Sequence, residues 1–473
     1  MEKRHTWSSS LTYVLTAAGA TIGFGATWRF PYLVGENGGG AYVLTFIIAM
    51  LVIGIPMILV ENVIGRRAHK NSLDAFCPTY QKKSFSKAWK IVGYMGLIGC
   101  FGIIAYYMVL GGWVITYIVS IINGSLDISS PITKEITESF YDANIEHNPL
   151  MITLYTFIFV FLNWLVLIKD ISNGIEKAMK FLMPLLILCL LGIVIRNLTL
   201  PGASEGIAYY LIPDFSKITP TLFIAVLGQV FFALSLGFGV MITLSSYLNK
   251  GENLIKTAVS TGIINTIIAV LAGFMIFPSL FSFHMSPDSG PSLVFKTLPI
   301  VFSNMHFGSF IAVAFFILLI VAAFTTSITL YEVLITTAKE KLGLSRKTSV
   351  TLVLSALFIA GNIPSIMAYG PWSEIRILDK NIFDAFDYIS GNIFFVLTAL
   401  GSAIFVGWIL KEDAILEISN GSNNPGIAKV WFHYVKFVIP IIILVIFISG
   451  TKDLFIKEEV QIQNNTEKII KNM

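Results

Sequence analysis

The chain has 473 residues, 55% of them hydrophobic and 13% charged, with a mean hydropathy of +0.78, far above the balance of a water-soluble globular domain. That excludes a purely soluble enzyme or binding module. The formal net charge of +4 reports how Lys and Arg sort across a bilayer, and it does not mark a nucleic-acid partner.

Crossing the hydrocarbon core takes roughly 20 apolar residues as a helix. Eleven such segments are predicted, at 10–34, 40–65, 88–122, 150–168, 174–198, 220–247, 256–281, 305–338, 348–367, 382–410 and 431–450. The expected fold is therefore an all-α integral membrane protein. The start, MEKRHTWSSSLTYVLTAAGA, resembles a signal peptide, but its apolar run continues past Ala20 into the first span. With residues 1–9 inside, the regions facing the cytoplasm collect most of the 32 Lys and Arg, including GRRAHK, the Lys82–Lys90 group and KEKLGLSRK. An odd number of spans then places the polar tail 451–473 outside. Cys77, Cys100 and Cys189 make neither a disulfide framework nor a metal-ligand spacing, and His5, His69, His147 and His433 form no catalytic or metal pattern. No nucleophile with a base and no paired carboxylates at suitable spacing appear, so an enzyme has little support.

The first span reads TIGFGAT and the sixth LSLGFGV, so Gly-Phe-Gly occurs at Gly23–Gly25 and again at Gly237–Gly239. Paired interruptions five helices apart are the trace of an inverted repeat whose unwound backbone lines a site at the bilayer midplane. They divide the chain into units 10–198 and 220–410, with 431–450 appended. Breaking a helix in hydrocarbon costs several kcal/mol for each unsatisfied backbone group, so a polar ligand is expected there. Freed carbonyls suit a small cation, and freed N–H groups suit an anionic group.

These residues resemble the neurotransmitter:sodium symporters, in particular their bacterial amino-acid transporters. The resemblance rests on WRFPY (Trp28–Tyr32), ENGGGA (Glu36–Ala41), GIP (Gly54–Pro56), AYY (Ala105–Tyr107), GQVFFALSLGFG (Gly228–Gly239), TTS (Thr325–Ser327) and LSRK (Leu344–Lys347). It implies five plus five helices in inverted repeat, discontinuous first and sixth helices, and an eleventh helix. Gly174 and Pro184 reproduce the family's Gly-x9-Pro element, which lets the cytoplasmic end of the fifth helix unwind.

The resemblance implies a second sodium site from the carbonyls of Gly19, Ile22 and Ala322 with the hydroxyls of Thr325 and Thr326; interhelical hydrogen bonding is the plainer reading of the two threonines. Neutral oxygens suit a releasable monovalent cation. The first sodium site is degraded, because Ala26 and Ala233 stand where the family has asparagine and threonine, leaving Asn265 and the Thr21 carbonyl. The neighbouring anion site is lost as well. Phe46 replaces tyrosine, and Ala269 stands where a serine or an acid belongs, so Gln229 has no ion. One sodium per cycle and no chloride are expected.

For the substrate, the resemblance implies a carboxylate held by Tyr107 and the N–H groups of Phe24 and Gly25. The ammonium would face carbonyls of Thr21, Phe232 and Ala233 and the Ser235 hydroxyl, while Ile103, Phe232, Phe238, Thr326 and Leu330 line the side-chain pocket. Gly23 stands where monoamine carriers have an aspartate, which disfavours an amine lacking a carboxylate. A neutral aliphatic or aromatic amino acid is expected, imported across a bacterial cytoplasmic membrane. A cationic amino acid filling the vacated first site, or a substrate sensor on the same fold, are the alternatives. Arg29 and Asp387 with Phe232 match the outer gate, and snorkelling is the bland reading of Arg29. Arg4, Trp7 and Glu340 match the inner gate. Glu61 and Glu332 are candidate buried acids.

Overall fold

The computed structural model describes residues 6–77, 79–80, 83–84, 86–287, 293–421 and 425–471. Arg4 lies outside them. Nine helices among the described residues are long and apolar enough to cross a membrane. In chain order they are α2 (Gly40–Ala68), α3 (Lys87–Ile122), α4 (Pro149–Leu167), α5 (Ile175–Leu198), α7 (Leu254–Ser282), α8 (Gly308–Leu342), α9 (Arg346–Met367), α10 (Ile382–Leu410) and α11 (Gly426–Lys452). Two broken spans complete eleven: α1 (Ser10–Phe24, then Gly25–Arg29 and Phe30–Glu36) and α6 (Pro220–Ala233, then Val240–Ser245). Five spans per unit is an odd number, so α6 enters from the face opposite to α1 and the two units are inverted.

Local chemistry sets the starts. Ser9, Asn148, Thr219, Asn253, Ser345 and Asn381 each accept a backbone N–H of the first turn of α1, α4, α6, α7, α9 and α10, satisfying donors that the helix leaves unpaired. Pro149 and Pro220 occupy first-turn positions where no N–H is missed. The span of α3 is 83% buried and that of α8 72%, against 33% for α4 and 28% for α11. The first pair therefore forms the core of the bundle, and the second presents its apolar side chains to lipid. α8 packs on α3, α1 and α5, which carries Thr325 and Thr326 to the break in α1.

The sequence did not announce the short helices Lys134–Tyr141, Ala203–Leu211, Thr297–Ser303 and Glu412–Ser419 in the connections, nor a hairpin pairing Thr79–Tyr80 with Lys83–Ser84. Their apolar runs are too short to read as spans. The tail after Thr451 continues α11 as helical backbone to Lys471.

Candidate functional site

The break in α1 is centred on Gly23, at φ −10° and ψ −155°. A Cβ there would collide with the Tyr107 hydroxyl and Thr326 Oγ1. Only glycine allows α3 and α8 to approach this closely. The interruption in α6 runs through Leu234, with Ser235, Gly237 and Gly239 at φ 52°, 81° and 74°; the two glycines take this left-handed backbone without a Cβ penalty.

The freed backbone groups find partners. Gly23 N–H donates to Thr326 Oγ1 at 3.0 Å, and Phe24 N–H to the Tyr107 hydroxyl at 3.0 Å. Ser235 Oγ donates to Ala20 O at 3.0 Å, so one break is stapled to the other. Because the Tyr107 hydroxyl accepts from Phe24, its own proton is available to a further acceptor. Beside these groups lies a cavity of about 10 Å3, with Thr21, Gly23, Gly25, Tyr107, Ser235 and Thr326 on its polar side and Ile103, Phe232, Phe238 and Leu330 on its apolar side. That is room for about one water. Of the twelve residues expected at the substrate, ten line this cavity, and Ala20 joins them. Phe24 and Ala233 do not line it; they meet the site through the Phe24 N–H and the Ala233 carbonyl. Ala20 was missed because it offers no functional side chain.

The residues expected to hold sodium on the α8 side come together. Thr326 Oγ1 donates to Gly19 O at 3.0 Å, and Thr325 Oγ1 to Ala322 O at 2.9 Å. The Ile22 carbonyl accepts from Gly25 N–H at the same break. A Cβ on Gly19 would lie 2.9 Å from Met179 Sδ and 3.3 Å from Thr325 Cβ, so α5 covers this point from the other side.

On the α7 side the pattern is opposite. Asn265 Nδ2 donates to Thr21 O at 2.9 Å and Ala233 O at 3.3 Å, and Gln229 Nε2 donates to Gly25 O at 2.7 Å. Both amides are fully buried, and Asn265 Oδ1 and Gln229 Oε1 have no hydrogen-bond partner. Ala26, Phe46 and Ala269 are buried as apolar packing, with the Phe46 ring 4.6 Å from that of Phe30. The Thr21 hydroxyl turns back to Ala18 O at 2.8 Å.

Outside the cavity, the Arg29 guanidinium lies 4.3 Å from the centroid of the Phe232 ring. Arg29, Phe232 and Asp387 border a second cavity of about 50 Å3 with Phe231, Asn392 and Ile446. Ahead of the start of α1, Trp7 is buried and its Nε1 donates to Leu244 O at 2.9 Å. Glu340 accepts from the Asn71 backbone and side chain at 3.0 and 2.7 Å. Glu176 accepts from the Ser8 N–H and hydroxyl at 2.8 and 2.7 Å, within α5 between Gly174, which caps its start, and Pro184. Glu61 accepts from Gly237 N–H at 2.7 Å and so holds the α6 break. Glu332 pairs in two-pronged fashion with Arg346, at 2.9 and 2.7 Å. The isolated acids in the sequence flagged Glu61 and Glu332; Gly237 and Arg346 stand in motifs of their own, but at separations of 14 to 176 residues nothing in the sequence paired them with these acids.

Two helices broken at mid-span, with backbone and hydroxyl groups converging on a small cavity between them, define a membrane carrier. The model of the sodium:neurotransmitter symporter family matches residues 4–150 and 147–461, and the chain belongs to that family. It is 65% identical over 451 residues to an uncharacterized sodium-dependent transporter of Haemophilus influenzae, covering 95% of this chain and 98% of that one. It is 35% identical over 453 residues to the sodium-dependent transporter YhdH of Bacillus subtilis, with coverage of 95% and 98%. The crystal structure of MhsT in complex with L-phenylalanine aligns with a TM-score of 0.85 at 36% identity, over 95% of this chain and all of that one. The protein is a multi-pass, sodium-dependent symporter.

Proposed function

We propose that the chain imports a neutral aliphatic or aromatic amino acid with one Na+ per cycle, bound on the α8 side, and without chloride. The observation that supports this most is the pairing of a donor cluster with an apolar wall. The Tyr107 hydroxyl, which accepts from Phe24 N–H and keeps its own proton, has that proton to give to a carboxylate, while Ile103, Phe232, Phe238 and Leu330 offer the side chain no polar partner. The collision at Gly23 argues against a side-chain carboxylate there and so against amines without a carboxylate of their own. MhsT with bound L-phenylalanine, so similar in fold, favours the same substrate class.

The cycle we infer is alternating access. Na+ and substrate enter from outside while Phe232 is swung away, and Arg29, Asp387 and Phe232 close over them. Release of Trp7 and unwinding of the start of α5 then open the inside, with the N-terminus cytoplasmic in a bacterial inner membrane. One charge moved through 100 mV supplies about 2.3 kcal/mol and a tenfold sodium gradient about 1.4 kcal/mol. For a net-neutral substrate the ceiling is roughly a several-hundredfold accumulation.

Uptake of labelled neutral amino acids into proteoliposomes, titrated with external sodium and repeated with gluconate for chloride, tests this. A Hill coefficient near one and indifference to chloride are expected. Saturable binding without uptake would make the protein a sensor, and displacement by basic but not neutral amino acids would overturn the substrate class.

A further inference from the structure

We infer that the carboxamide of Asn265 is a built-in replacement for a cation, its two N–H groups holding the Thr21 and Ala233 carbonyls that a second sodium ion would otherwise bridge. This rests on the one-sodium reading above and says what stands in the place of the missing ion.

A side-chain amide has two N–H donors, and here they reach two main-chain carbonyls, at 2.9 and 3.3 Å, one from each broken helix. Those carbonyls are freed by the breaks and, buried away from water, need a positive partner. An ion would supply a full charge, and Asn265 supplies two partial ones. Gln229 also donates, at 2.7 Å, to the Gly25 carbonyl, which accepts the Phe30 N–H as well. The orientation has a cost that identifies it: Asn265 Oδ1 and Gln229 Oε1 are left buried with no partner. Turning Asn265 to bring Oδ1 inward would place three oxygens against one another with nothing positive between them. A neutral donor also needs no counter-charge, which agrees with the wholly apolar burial of Phe46 and Ala269. The break is thereby held together when no ion is present, and sodium has only the α8 side to bind.

The replacement predicts that removing the donors creates an ion site. In Asn265→Asp the shape is kept, but three oxygens converge where two donors and two acceptors did. The experiment is equilibrium binding of 22Na+ to purified protein in nanodiscs, with melting temperature as a check of folding. The wild type should bind one Na+ per chain, N265D two, and N265D should melt higher in sodium than in choline by a larger margin than the wild type. Should N265D not fold, Asn265→Ala leaves the two carbonyls bare beside a vacated space. It should then gain stabilisation by Na+ or NH4+ over choline that the wild type with its α8-side site saturated lacks. A folded N265D that binds one ion, or an N265A with no added cation response where N265D does not fold, overturns the role of Asn265 and leaves the one-sodium reading standing. A wild type that binds two ions overturns both.

Discussion

The single break in α1 is met on its two sides by opposite chemistry. Toward α8, two threonine hydroxyls gather with the Gly19 and Ala322 carbonyls, an all-oxygen set. Toward α7, two carboxamides turn nitrogen to the Thr21, Ala233 and Gly25 carbonyls. A hydroxyl can give up its donor role and present a lone pair to an arriving cation, because its proton rotates away. An amide nitrogen cannot. On the one-sodium proposal, the same main-chain interruption carries one side open to sodium and one already satisfied, and the choice is made by side chains rather than by the helix break.

The strongest way to break this contrast is to convert the second side into the first. Ala26→Asn with Ala233→Thr returns two oxygens to the α7 side and gives Asn265 a reason to turn its Oδ1 inward. A second coupled sodium ion should follow, with the Hill coefficient of uptake rising from near one to near two. By the same energies of about 2.3 and 1.4 kcal/mol per ion, the accumulation ceiling rises by a further factor of several hundred. Internal-to-external substrate ratios in proteoliposomes at fixed voltage would measure it, and an unchanged Hill coefficient would show that oxygen count is not what separates the two sides. The next effect in size is on the native ion. Thr325→Ala removes one oxygen from a buried set, and a hydrogen-bond-strength contact to a charge is worth about 1.5–3 kcal/mol. Sodium affinity should fall about 10- to 100-fold while protein yield is kept.

How much of this could be read from residues alone differs between the two sides for the same reason. The spans, the paired Gly-Phe-Gly breaks and the family followed from composition and motif, because a membrane helix must satisfy its backbone internally and a break is conspicuous. The gathering of hydroxyls and carbonyls on the α8 side was legible because Thr325-Thr326 supply two of its oxygens. On the α7 side the sequence showed apolar residues at Ala26 and Ala233 but not which way Asn265 faces, since an asparagine carries both a donor and an acceptor and only the fold decides which end points inward. Likewise Glu176 carried no motif. Its partner Ser8 is 168 residues away, and nothing local announces such a pair. The hairpin and the short connecting helices escaped for want of enough apolar residues to show a period.

The Ser8–Glu176 contact sharpens the comparison from the N-terminal end of α1. Met179 lies one turn beyond Glu176 and covers Gly19, whose carbonyl belongs to the α8-side set. Ser8→Ala, which removes the hydroxyl donor but leaves the backbone one, should loosen the start of α5 and uncover that set. About a threefold to tenfold faster sodium release is expected for loss of a hydrogen bond to a charged group in a part-buried place. Hydrogen exchange of the 174–184 backbone should rise in the same variant, and the α7-side amides should be unaffected. Exchange that rises only near residue 8 would show the two segments to be independent.

The smallest effect concerns how α8 is held where it leaves the membrane. Asp74, in the connection between α2 and α3, pairs with Lys341 at 2.7 Å and Lys90 at 2.8 Å, and Asn71 donates to it at 3.1 Å. Partial burial pushes its carboxyl up, but the hydrogen bonds from Lys341, Lys90 and Asn71 outweigh this and hold it at about 2. A folded value below the ordinary one of about 3.9 means stability that is fully present above about pH 4 and is lost as the pH falls through about 2. Solvent screens the pair, so its worth is under about 1 kcal/mol. Asp74→Asn should therefore lower the melting temperature slightly at pH 7, and the gap from wild type should close between pH 4 and 2. A gap that persists at pH 2 would place the contribution of Asp74 in its neutral hydrogen bond with Asn71 rather than in its charge. The C-terminal end of α8, with Glu340 on the same asparagine, would then be fixed by amide donors just as the α7 side of the break is.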